Sequence, residues 1–131
     1  MKTKNFFKIG ICLFISVIFF SCGGGGGDVV DSLIPDLSAN WTNTADATDE
    51  FFFPDVANPG KATSTFTGNN NFPQGEQHTF SGSYTNSKIS FTFNDGPRKD
   101  QKFSGTIKGT APTATMTLTT PSGTITLLQH P

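Results

Sequence analysis

The chain has 131 residues, with 14 Phe, 14 Gly, 15% charged side chains and a net charge of -1. This length suits one domain with one modest core and excludes two cores of useful size. The sparse, scattered bases exclude a nucleic-acid footprint, which needs Lys and Arg concentrated on one face of a strongly basic domain.

In chain order, the first feature is a basic lead containing Lys2, Lys4 and Lys8, followed by the apolar run Ile9 to Phe20. That run has the length of a signal-peptide core and is short of the roughly 20 residues needed to span a bilayer. It ends at Ser21-Cys22, ahead of five glycines, Gly23 to Gly27. The combination resembles a bacterial lipoprotein signal. The resemblance implies cleavage between Ser21 and Cys22 and lipidation of Cys22, which becomes the first mature residue. It also implies a membrane partner reached through the Cys22 lipid anchor. Gly23 stands where an Asp would mean inner-membrane retention in enteric lipoproteins, so the implied address is the cell envelope at the outer membrane. An ordinary secretory signal and an uncleaved anchor helix are the alternatives.

With Cys12 leaving in the signal, the mature chain keeps one cysteine and no disulfide is expected. Gly23 to Gly27 pack no side chain and read as a loose tether. Asp28 to Asn40 is mixed; Val29, Val30, Leu33, Ile34 and Leu37 suit a short helical turn or docking on the body, and Pro35 limits any helix. The expected division is therefore a signal peptide over 1–21, a lipidated tether over 22–38 and a folded body over 39–131.

Within the body, apolar and polar residues alternate with period 2, the mark of strands with one buried face. Six strands centre on Phe66, Phe80 to Tyr84, Ile89 to Phe93, Phe103 to Ile107, Met116 to Leu118 and Ile125 to Leu127, with Leu128 breaking the pattern. The regions of Trp41 and of Glu50 to Phe53 offer one or two more. Connections such as Asn86-Ser87 and Pro121-Ser122-Gly123 are too short for parallel crossovers, so the strands form an antiparallel up-and-down meander. The triplets Phe66-Thr67-Gly68, Phe80-Ser81-Gly82 and Phe103-Ser104-Gly105 place glycine beside an inward aromatic, a device for bending sheets. The fold class is all-β, a meander closing into a small barrel, with a β-sandwich as the alternative. Trp41 near the first strand and the F-S-G strands from Phe80 onward resemble the calycin group of lipocalin- and avidin-like barrels. That resemblance implies a cup able to take a small ligand.

Catalytic chemistry is not apparent. His78 and His130 read as lone exposed histidines, no metal-ligand spacing occurs, and no G-x-S-x-G marks a nucleophile, so neither an enzyme, a cofactor nor a metal site is expected. Asp46 to Glu50 reads as a solvated acidic turn, and Asn94 to Asp100 as a hairpin tip with Arg98 and Lys99 in solvent. Phe51-Phe52-Phe53 must point to alternating faces. The inner face needs a core; the outer is either covered by the N-terminal segment or exposed as a contact patch. Trp41, Phe52 and Tyr84 are the candidates for a ligand surface. The expected function is a lipid-anchored envelope protein with a non-catalytic binding or structural barrel. The alternatives are a carrier of a small apolar ligand, for which inward Gly82 and Gly105 leave room, and an adaptor or inhibitor of another envelope protein.

Overall fold

The computed structural model describes residues 34–131; the signal, Ser21, Cys22 and the glycine tether lie outside the described residues. Eight strands follow one another: β1 (Asn40–Asn43), β2 (Asp46–Val56), β3 (Thr63–Asn70), β4 (His78–Thr85), β5 (Lys88–Phe93), β6 (Lys102–Lys108), β7 (Thr115–Thr120) and β8 (Gly123–His130). Each pairs antiparallel with the next, and β8 returns to β1, giving a closed barrel in sequential order. The barrel expected from the alternation and the short connections is therefore the observed one, and the sandwich is not. Closure leaves no free sheet edge.

The alternation sorts side chains as expected. Inward positions carry Trp41, Phe51, Phe53, Phe66, Phe80, Phe91, Phe93 and Phe103 with Ile89, Ile107, Met116, Leu118 and Leu127, all buried. Phe91 is the hub. Its ring lies 4.6 Å from Phe80 and 5.5 Å from Phe103, and it also meets Phe51, Phe53, Phe66 and Phe93. Most of these pairs are edge-to-face or tilted, the arrangements favoured by the ring quadrupole. The outward positions are hydroxylic. One register row runs Thr65, Ser83, Ser90, Ser104, Thr119, Thr124 across six strands.

Gly82 and Gly105 do not leave room, contrary to the expectation. Gly82 sits between Phe66 and Phe91 in register, and a Cβ there would strike Ser90 O and the Phe91 backbone. On Gly105 a Cβ would strike Thr117 O. These glycines permit close backbone approach, and the neighbouring strands themselves take the space. Phe51 and Phe53 point inward, whereas Phe52 lies outside and half-buried, beside Asn69 in register. The β2–β3 ladder shifts between Phe52 and Asp55, at Pro54, which has no N–H to donate.

The meander defines two rims. Ile34 to Ser38, the β2–β3 loop, the Asn86-Ser87 turn and the β6–β7 loop lie at the entry rim, where the chain joins the barrel. The β1–β2, β3–β4, β5–β6 and β7–β8 connections lie at the opposite, far rim.

Candidate functional site

At the far rim the interior ends in a polar cluster. Asp49 follows the inward parity of Phe51 and Phe53 and is 1% exposed. Arg98, from the β5–β6 loop, grips it with two bonds, Nη1 to Oδ1 at 2.7 Å and Nη2 to Oδ2 at 3.0 Å. The amides of Asn70 and Asn43 donate to the same carboxylate at 2.9 and 3.1 Å. Arg98 also donates to Asn70 Oδ1 at 2.9 Å, and its guanidinium lies 4.3 Å from the Phe72 ring. Asp49 is thus no solvated turn residue and Arg98 no free hairpin tip. Burial makes an unpaired carboxylate costly, and the guanidinium, which lies near the Phe51, Phe93 and Phe103 rings, matches its two oxygens with its fork. The cluster thus caps the barrel interior at the far rim.

His78 is likewise neither lone nor exposed. It is 15% exposed, with Nε2 3.2 Å from Glu76 Oε2 and Nδ1 3.3 Å from Asp95 Oδ1. Both ring nitrogens thus face carboxylates. Thr79 donates to Asp95 through its hydroxyl at 2.6 Å and its backbone N–H at 3.0 Å; these bonds hold the Asp95 carboxyl below the usual carboxylate range. Among the described residues, no group of three or more His, Cys, Asp or Glu is arranged to hold a metal ion.

The entry rim is different in character. In the Ile34–Ser38 segment Leu37 is 2% exposed and joins the core, and Gln129 Nε2 donates to Asp36 O at 2.8 Å, tying that segment to β8 at the barrel mouth. Beside it lies an apolar depression of about 510 Å³, lined by Ile34, Leu37, Phe53, Val56, Pro59 and Tyr84 among others. Ile34 is the large exposed hydrophobic residue of this rim, 47% accessible.

Of the residues singled out from sequence, Trp41 and Tyr84 lie inside the barrel and Phe52 outside it. Trp41 is fully buried and packs edge-to-face on Phe53 at 6.5 Å between centroids. Tyr84 is 1% exposed, lines the depression and donates from its hydroxyl to Asn58 O at 3.3 Å. Phe53 therefore joins Trp41 to the depression, while Phe52 is not brought to it. Two buried polar atoms, Trp41 Nε1 and Gln129 Oε1, lack a hydrogen-bond partner among the described residues, and their residues pair directly in the β1–β8 ladder. Sequence reasoning missed the cluster around Asp49, whose signal was the shared parity of Asp49, Phe51 and Phe53. It also missed the lysines of the entry rim, which only the meander brings together. Compared with protein-family models, curated proteins and solved structures, the chain gave no match.

Proposed function

We propose that this is a lipid-anchored protein of the cell envelope, in the outer membrane, whose barrel is a non-catalytic binding or structural module. The observation that carries the reading is the Ser21-Cys22-Gly23 junction after a basic, apolar lead, followed by a glycine tether into the barrel. One acyl chain binds a bilayer only marginally, whereas a cysteine bearing two or three is held durably. The closed eight-strand meander supports a resemblance to the calycin group. The aromatic filling of its interior favours a module that works through its surface over a carrier with an internal cavity.

The test is Cys22→Ser in the producing cell. Wild-type protein should fractionate with membranes and carry acyl mass on Cys22, and the variant should be released. Equal labelling of both by radioactive palmitate would overturn the lipid assignment.

A second reading rests on the apolar depression at the entry rim. Its lining by Ile34, Leu37, Phe53 and Val56 suits a small apolar ligand held at the mouth. An environment-sensitive apolar dye displaced by fatty acids would support it; absence of dye binding by folded protein would remove it.

A further inference from the structure

We infer that the entry rim is a docking face for the anionic headgroups of a bilayer. This deepens the lipid-anchor reading and rests on it for the membrane's proximity.

The rim gathers positive charge through the topology. Asn86 N donates to Ala62 O at 2.6 Å, and Ile107 N donates to Ser87 O at 2.8 Å. Those two bonds join the β2–β3 loop, the β4–β5 turn and the end of β6. They bring Lys61, Lys88 and Lys108, each adjacent to one of the bonded residues and each exposed, onto neighbouring segments of one rim. Against them stand Asp36, the Pro131 carboxylate and, on the barrel wall nearby, Asp55, whose carboxylate accepts from Thr67 at 3.5 Å. The Asp36 carboxylate is turned to its own chain, accepting from Ser38 N and Oγ at 3.0 and 2.6 Å. The far rim is the more acidic of the two: Asp46, Glu76, Asp95 and Asp100 stand against Lys99 and Lys102, with Arg98 already paired to Asp49.

The chain enters at the rim that carries these three lysines. Eleven residues, 23–33, separate Cys22 from Ile34, a contour of at most about 40 Å. Ile34 is exposed beside the apolar depression, whose lining reaches Gly60, next to Lys61. An exposed apolar residue on the rim that also carries Lys61, Lys88 and Lys108, the rim from which the proposed anchor leads, complements an anionic surface. A lysine near such a surface adds about a fivefold gain in partition, lost with salt.

The experiment uses the full acylated chain in vesicles of phosphatidylcholine alone and with added phosphatidylglycerol, and follows lysine acetylation by mass spectrometry. Lys61, Lys88 and Lys108 should label several-fold more slowly in the anionic vesicles, with Lys99 and Lys102 unchanged, and high salt should abolish the protection. Lys61→Glu/Lys88→Glu/Lys108→Glu should remove the preference for anionic vesicles while leaving the barrel folded, since all three side chains are exposed. Equal labelling of all five lysines in both vesicle types, with acyl mass verified on Cys22, would overturn the docking face and leave the anchor standing. Should Cys22 carry no acyl mass, the anchor reading fails instead. The face is then judged by cosedimentation of the unacylated protein at low salt: binding to anionic but not neutral vesicles sustains it, and binding to neither overturns it.

Discussion

Replacing Arg98 by alanine should be among the most damaging changes available on a loop of this protein. The substitution removes two charge-assisted bonds to a carboxylate that is 1% exposed, one further bond to Asn70, and the stacking of the guanidinium on Phe72. Breaking a buried ion pair by deleting one partner costs about 3–5 kcal/mol, most of it from the stranded charge. Here the amides of Asn43 and Asn70 remain on Asp49, so the lower end applies, about 3 kcal/mol. For a domain of this size that is a fall in Tm of roughly 12–24 °C. The assay is urea unfolding followed by the fluorescence of Trp41, the single tryptophan and fully buried. Asp49→Asn with Arg98→Met removes both charges together. That double change should cost less than the sum of its singles by about 1.5 kcal/mol or more, the coupling expected of groups in contact. A loss below about 1 kcal/mol for Arg98→Ala, with no coupling, would mean the pair behaves as an exposed salt bridge, and the argument from burial would be refuted.

Further predictions follow from the core, the glycines and the far rim. Phe91→Ala should cost about 3–5 kcal/mol, since it deletes the ring that meets six others; unfolding with an unchanged m-value checks it. Gly105→Ala should destabilise the barrel by more than about 2 kcal/mol, because the obstacle is the Thr117 backbone. Gly75→Ala, in open space at φ +92°, should cost only about 1–2 kcal/mol, so thermal melts should rank the two. The Asp95 carboxyl is held down by its bonds to Thr79, so its stabilising contribution is full above the ordinary carboxylate pKa and disappears as pH falls through the lowered one. Thr79→Val should move its titration, read by carbon-detected NMR, up toward the ordinary range and weaken the fold's resistance to acid below about pH 4.

The strands from β3 to β8 were legible because each has one buried face, so its inward phenylalanines and outward hydroxyls alternate without interruption. Their order was legible from connections too short for anything but neighbouring antiparallel strands. Closure was expected from strands with a single buried face, but the register that makes it was not legible, since β1 has only four residues and its pairing joins Asn40 to His130, at opposite ends of the body. The same distance in sequence hid the polar cluster. Asp49 stands in an acidic stretch and Arg98 in a turn rich in Asp, Gly and Pro, so local chemistry placed both in solvent. Only the closed barrel brings them within 2.7 Å. Gly82 and Gly105 misled for a related reason. A missing side chain reads as empty space until the neighbouring strands are in place, and those strands are what occupy it.

The pairing of Asn40 with His130 makes the barrel a ring in its connectivity as well as in its hydrogen bonds. Paired residues of neighbouring strands stand about 5 Å apart, so a short linker could join the two ends of the body. New ends could then be opened at Gln74-Gly75, in the β3–β4 loop on the far rim. Such a circular permutant would keep every ladder and every inward ring. Fused to the same leader, it would join that leader at the acidic rim, so on the proposed anchor reading the lysines would face away from the bilayer.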